Sequence, residues 1–132
     1  MARTFRWSGV PKQAKELALI VDDPDAPRPE PFVHWVVYKI PAEQSALPGG
    51  VTNDAKLKTP AGAVQGTNSF RKIGYGGPAP RSGHGMHHYH FHLYTLDKPL
   101  EVQGGLDKKA LLAAMSVHVL DDGELVASYE RQ

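Results

Sequence analysis

The sequence predicts a mainly β fold with one helix, and three observations lead to that expectation. Short apolar runs rich in β-branched residues recur along the chain, and clusters drawn from its 13 Gly and 11 Pro lie between them. The stretch 87–96 alternates between two faces with a period of two residues, which is typical of a strand. A helical spacing of apolar residues follows residue 107. Together these patterns favour a β-rich domain with long loops.

The first two predicted strands lie on either side of a proline-rich loop. Leu17–Val21 is a short apolar run, and Phe32–Ile40 is almost entirely apolar over nine residues, as expected of a central strand covered on both faces. Four prolines between 24 and 31 exclude helix and sheet in the connection. The ionisable residue inside the second strand is His34.

The remaining elements follow from breakers and periodicity. Residues 41–63 read as a loop, Val64–Phe70 as a short strand, and 74–86 as a second long loop. Glu124–Tyr129 is predicted as the last strand, after a turn at 121–123. Asp107 is the expected N-cap of a helix whose apolar face carries Leu111, Leu112, Met115 and Val119.

The strand at 87–96 divides its side chains between two faces. Period-two alternation gives one face His87, Tyr89, Phe91 and Leu93, and the other face His88, His90, His92 and Tyr94. Imidazoles two apart on a strand can converge on one metal ion. The same pattern also fits a solvated sheet face or a subunit interface.

Composition excludes several classes of protein. With 132 residues we expect a single domain, 1–132. Its net charge of +1 argues against nucleic-acid binding and against a polybasic membrane protein. The absence of Cys excludes disulfides, thiolate zinc sites and a Cys nucleophile. No apolar run approaches the roughly 20 residues of a transmembrane helix, and no secretory signal is apparent, so the expected location is cytoplasmic.

Three further patterns could carry chemistry, and each has an ordinary structural alternative. Asp22, Asp23 and Asp25 suit cation binding or acid–base work, but Asp side chains also bond loop amides. His34 could act on a ligand or be a satisfied core histidine. The Gly-rich stretch 74–80 could present backbone N–H groups to an anion, although it does not match a nucleotide phosphate loop.

Four motifs in order give the sequence a family resemblance. They are Asp23-Pro-Asp-Ala-Pro27, Phe32-Val-His-Trp35, Gly74-Tyr-Gly-Gly-Pro-Ala-Pro80 and His87-His-Tyr89. In this order they resemble the phosphatidylethanolamine-binding protein family, and its bacterial Raf kinase inhibitor-like branch in particular. The resemblance runs from Trp7 through Val126, nearly the whole chain.

The resemblance implies a fold and a ligand site. The fold would be a β-sandwich with a large central antiparallel sheet, a smaller sheet and a helix in the C-terminal half. A small surface cavity would take a phosphate-like anion or a phospholipid headgroup. We expect no catalytic residue, metal or cofactor there. The ligand-binding residues carried over by position are Asp23, Phe32, His34, Gly77, Pro78, His87 and Tyr89.

Two alternatives to a binding protein remain open. One is a small hydrolase that uses the cluster of Asp23, His34 and His87. The other is a metal-binding β domain that uses His88, His90 and His92. The resemblance also implies a possible protein partner, namely a kinase or protease that the chain would modulate, but no residue identifies one.

The sequence departs from the family pattern in two places. Only six residues precede Trp7, so we expect the family's first strand to be missing. A missing strand would leave a sheet edge that a second copy of the chain could cover, and we therefore expect a homodimer. The loop at 79–86 is longer and richer in Gly than is usual in the family.

Overall fold

The structure, a computed structural model, describes residues 3–7, 10–23, 32–48, 55–57, 62–74, 90–120 and 127–131. These residues form two β-sheets and one helix, α1 (Lys108–Met115). The mainly β architecture expected from the sequence is confirmed. The strands are β1 (Arg3–Trp7), β2 (Glu16–Asp23), β3 (Phe32–Pro41), β4 (Ala46–Pro48), β5 (Val64–Gln65), β6 (His90–Leu96) and β7 (Ala127–Arg131).

The larger sheet has the strand order β5–β3–β2–β6, and all its pairs are antiparallel. Its central strand β2 contributes alternate side chains to two separate apolar clusters. Leu17, Leu19 and Val21 lie in one cluster, and Ala18 and Ile20 lie in the other. Both faces of this sheet are therefore covered, which explains why its inner strands have almost continuous apolar sequences.

The smaller sheet has the order β4–β1–β7, again antiparallel. β1 is the middle strand of this sheet and ends at Trp7, so a strand that the sequence analysis did not predict lies here; the absence of the family's first strand stays a prediction. The loop expected over 41–63 needs correction, since β4 lies within it. Trp7, at the end of β1, packs in the same cluster as Leu17 and Leu19 and so connects the two sheets.

Helix α1 covers the second cluster. Asp107 is its N-cap, as predicted, and one carboxylate oxygen of Asp107 accepts a hydrogen bond from the Ala110 amide at 2.8 Å. Leu111 and Met115 are buried against the sheet. Leu112, predicted on the same face, is 37% exposed. Val119 lies beyond the helix, in a β-bridge with Leu96. The apolar face of α1 is therefore narrower than predicted, since Leu112 is exposed, and shorter than predicted, since the helix ends at Met115.

Two predicted strands have different bounds in the structure. The short strand expected at Val64–Phe70 is reduced to β5, and the chain then enters a tight turn. The final strand, β7, continues to Arg131, two residues past the predicted end. Residues 87–89 and 124–126, predicted as parts of strands, lie outside the described residues.

The segment between β6 and α1 is held to the larger sheet by buried polar groups. The Glu16 carboxylate accepts a hydrogen bond from the Leu100 amide at 2.9 Å. Lys39 Nζ donates to the Leu100 carbonyl, and the Tyr38 hydroxyl accepts from the Leu106 amide at 3.1 Å. Burial raises the pKa of Glu16 above its ordinary value, although the Leu100 hydrogen bond and the Lys39 charge lower it. No helix in the described part of the chain is long and apolar enough to cross a bilayer.

Candidate functional site

The candidate site begins where β2 ends and β3 starts. Asp23, the last residue of β2, is paired with Phe32, the first residue of β3. The register then shifts, because Val21 pairs with Trp35 while Asp22 pairs with Val33. His34 is therefore an extra residue on β3, and this bulge places it beside Phe32.

Three rings form an aromatic cluster at this end of the sheet: Phe32, His34 and Phe70. The ring centroids of Phe32 and His34 are 5.1 Å apart, and those of Phe32 and Phe70 are 4.8 Å apart in an edge-to-face arrangement. His34 is only 6% exposed, whereas Phe70 is 48% exposed. The His34 imidazole thus lies just under the surface, among largely apolar side chains, and the exposed Phe70 ring lies at the edge of this cluster.

The turn that carries Phe70 is attached directly to β3. The Ser69 hydroxyl accepts a hydrogen bond from the Val33 amide at 2.8 Å, and the Ser69 amide donates to the Val33 carbonyl at 2.9 Å. These two hydrogen bonds fix the position of the turn relative to Phe32 and His34. The sequence analysis did not single out Phe70. The sequence feature that could have pointed to Phe70 is a large apolar residue in a run of turn-forming residues, Thr67-Asn-Ser-Phe70, just before the Gly-rich stretch.

Asp22 belongs to an ion network on the helix-covered face. Its carboxylate is 2% exposed and has one oxygen 3.3 Å from His92 Nε2 and the other 2.9 Å from Lys108 Nζ. Burial alone would raise the pKa of Asp22, but the hydrogen bonds and charges of His92 and Lys108 outweigh it and hold the pKa below its ordinary value. Asp22 therefore ties β2, β6 and α1 together.

The predicted site residues are only partly visible. The rings of Phe32 and His34 lie in contact, and their role in ligand binding stays a prediction. The backbone of Asp23 is adjacent to Phe32, but its side chain is not among those described. The other predicted ligand residues, Gly77, Pro78, His87 and Tyr89, lie outside the described residues and stay a prediction.

Of the three histidines in the metal-site alternative, the structure describes the side chain of one, His92. His88 lies outside the described residues, and His90 is described only as part of the β6 backbone. His92 faces Asp22, whose second oxygen is already taken by the Lys108 ammonium. Within the described ranges, no group of three or more His, Asp or Glu side chains is arranged to hold a metal ion.

Comparison with known proteins gives the chain its family. The phosphatidylethanolamine-binding protein family model matches residues 2–130. A UPF0098 protein from Pyrococcus abyssi is 43% identical over 97% of this chain, and one from Pyrococcus horikoshii is 44% identical over the same share. The chain spans 71% and 64% of the lengths of these two relatives.

The fold agrees with a solved structure. The crystal structure of Escherichia coli YbcL, described as a new member of the mammalian phosphatidylethanolamine-binding protein family, matches with a TM-score of 0.76 and 30% sequence identity. The match covers 98% of this chain and 79% of that chain. With the two-sheet fold and the family model in agreement, the chain belongs to the phosphatidylethanolamine-binding protein family.

Proposed function

We propose that this protein binds a small phosphate-bearing anion, such as a phospholipid headgroup, beside the aromatic cluster at the β2–β3 end of the larger sheet. The observation that carries the proposal is the position of His34. It is an ionisable side chain, nearly buried, held on a bulge against Phe32 and next to the β2 terminus that bears Asp23. Family membership supports a ligand-binding role in general.

The chemistry of the proposed site suits a headgroup with opposite charges at its two ends. A protonated imidazole supplies a charged N–H donor to a phosphate oxygen, and His87 and Tyr89 would supply two more donors. A carboxylate at Asp23 would accept from an ammonium group. Phosphoethanolamine carries both groups, so one ligand could satisfy the histidines and the aspartate together.

The remaining expectations also belong to the proposal. A cytoplasmic location and modulation of a kinase or protease rest on composition and on family resemblance. The homodimer rests on family resemblance and on the prediction that the family's first strand, before Trp7, is missing.

Calorimetric titration with phosphoethanolamine at about pH 6 tests the binding site. We expect His34→Gln and His87→Ala each to weaken binding by about tenfold or more, because each removes a charge-assisted hydrogen bond. His118→Gln is the matched control, since His118 pairs with Asp97 just past the other end of β6. Should the His34 variant fail to fold, the His87 variant carries the test.

Equal affinity in the parent protein and both site variants would contradict the proposed site. No measurable binding of phosphoethanolamine or inorganic phosphate by the parent protein would contradict the proposed function itself.

A further inference from the structure

One exposed turn beside the candidate site combines an aromatic ring with two positive charges. Phe70, Arg71 and Lys72 follow one another at its tip, and all three side chains are exposed. We name these three residues the cationic tip. The ligand-binding proposal uses Phe70 only as part of the aromatic cluster and does not use Arg71 or Lys72, and each of the three carries chemistry that suits a surface contact.

The cationic tip is rigidly supported from below. Thr67 and Ile73 form an antiparallel bridge, and the Asn68 amide donates to the Lys72 carbonyl at 2.9 Å. The buried Asn68 side chain accepts from the Phe70 amide at 2.8 Å and donates to the Gly74 carbonyl at 2.8 Å. Because the backbone of the tip is already held, binding need not order that backbone.

Arg71 occupies a backbone conformation that favours glycine. Its φ is 63°, in the left-handed region, where a side chain other than Gly or Asn costs about 1 kcal/mol or more. This is the position in a short hairpin loop where Gly is usual. A large exposed cation at such a position favours a role for its charge.

The tip is continuous with the candidate site. Phe70 packs edge-to-face on Phe32, and Phe32 contacts His34. Whatever surface touches the cationic tip is therefore next to the ring that would hold a phosphate. Arg71 and Lys72 would attract an extended anionic surface to the same end of the sheet.

We infer that the cationic tip docks the protein on an anionic phospholipid surface, so that the candidate site takes its phosphate from a lipid in that surface. The inference rests on the proposed function and names the source of its ligand. Aromatic rings partition to the membrane interface, and cations near it are attracted to anionic headgroups. A net charge of +1 for the whole chain is no obstacle, because the two charges act locally beside the surface.

An acidic protein partner fits the same charges less well. Stable protein interfaces bury about 800 Å² on each partner, through some 20 to 30 residues. Three side chains on a narrow tip supply little of that area. A lipid surface needs no complementary pocket, and its contact can begin with one ring and two cations.

The experiment measures binding to vesicles of phosphatidylcholine with 30% phosphatidylglycerol. The test variant is Arg71→Gly with Lys72→Gln, in which glycine suits the backbone at 71. The matched control is Lys12→Gln with Lys15→Gln, which removes two exposed charges just before β2, at the end opposite Asp23. We expect the test variant to bind roughly ten- to thirtyfold more weakly than the parent, and the control to stay within about twofold.

A second measurement places the tip at the surface. In Phe70→Trp, the emission of the new indole should shift to the blue on adding these vesicles and return on adding salt. Trp7 and Trp35 are 5% and 1% exposed, so they contribute a constant background. Equal losses in test and control variants, or an unshifted emission in bound protein, would overturn the inference. So would binding to poly-glutamate that depends on Arg71 and Lys72 without binding to vesicles.

Soluble phosphoethanolamine separates this inference from the proposed function. The Arg71 and Lys72 variant should bind it as the parent does. If the parent binds it but ignores vesicles, the tip proposal fails and the ligand site stands. If the parent binds vesicles through the tip but no soluble headgroup, the proposed ligand site fails.

Discussion

The pKa values of two buried carboxylates on the larger sheet are shifted in opposite directions. Asp22 receives hydrogen bonds and charge from both His92 and Lys108, and its pKa lies below the ordinary value. Glu16 has a hydrogen bond from Leu100 and a Lys39 ammonium at 3.9 Å, and burial leaves its pKa above the ordinary value. The ionised form of Asp22 therefore stabilises the fold, whereas the ionised form of Glu16 costs stability.

Asp22→Asn and Glu16→Gln should consequently change stability in different ways. The contribution of Asp22 is present above the unfolded-state pKa of about 4 and is lost as pH falls through its lower folded value. Asp22→Asn should lose about 1–3 kcal/mol at pH 7 and much less near pH 3. Urea unfolding at the two pH values measures the difference. Asp97→Asn, at an exposed carboxylate, is the control and should stay within about 0.5 kcal/mol of the parent.

The stability supplied by Glu16 is present below its unfolded pKa and is lost as pH rises through its higher folded value. Glu16→Gln keeps an oxygen for the Leu100 amide and should be at least as stable as the parent at pH 7. A loss at pH 7 as large as that of Asp22→Asn would show that the Lys39 charge outweighs burial.

At the residue scale, sequence reasoning found some of the candidate site. His34 stood out because an ionisable residue interrupts an apolar strand, whereas Phe32 came from the family resemblance; the structure brings their two rings together. The partners of Asp22 could not be predicted, because His92 and Lys108 lie 70 and 86 residues away along the chain. Phe70 was missed because its contact with Phe32 depends on where the turn is anchored.

At the element scale, Gly66 sets how closely the segment just after β5 approaches the segment before α1. A Cβ atom on Gly66 would lie 2.1 Å from the Leu106 carbonyl oxygen and 2.9 Å from a methyl carbon of Val36. The same carbonyl accepts a hydrogen bond from the Thr67 amide at 2.9 Å. A side chain at 66 would therefore push apart two backbones that are hydrogen-bonded to each other.

Gly66→Ala should destabilise the protein by more than about 2 kcal/mol, because backbone atoms must move to admit the methyl group. Gly62→Ala is the comparison: its φ is 93°, but nothing lies within 4 Å of an added Cβ. That variant should lose only about 1 kcal/mol, the cost of the left-handed backbone. Thermal unfolding of both variants measures the contrast, and a Gly66 variant no less stable than the Gly62 variant would contradict it.

The elements predicted best are those whose sequence pattern matches a local rule. β3 is apolar on both faces because both faces are buried, and α1 has an N-cap with an apolar spacing behind it. β1 and β4 were missed for the opposite reason. Arg3–Trp7 mixes cations with aromatics, and Ala46–Pro48 has only three residues. They are strands because distant segments pair with them.

At the scale of the whole molecule, the described polar network lies on one face of the larger sheet, and the candidate site lies at the β2–β3 end, one residue beyond Asp22. The helix-covered face carries Asp22, Glu16 and the anchors of the segment before α1. The aromatic cluster lies at the β2–β3 end of the sheet, next to the cationic tip. Changes in the ligand site should therefore affect binding more than stability, because the core clusters on both faces remain intact.

The last prediction links proton binding, ligand binding and the stability of the whole protein. A phosphate ligand is held best by protonated imidazole, so ligand and proton bind together and affinity should fall as pH rises. A ligand that binds only the folded state raises its stability, by about 2.7 kcal/mol at a concentration 100 times its Kd.

Saturating phosphoethanolamine at pH 6 should thus raise the melting temperature by several degrees, and the same concentration should raise it less at pH 8. Comparing each melt with the ligand-free protein at the same pH removes the contributions of Asp22 and Glu16. His87→Ala should flatten the pH dependence, while His118→Gln should leave it as it is; a ligand effect of equal size at both pH values would show that no imidazolium takes part.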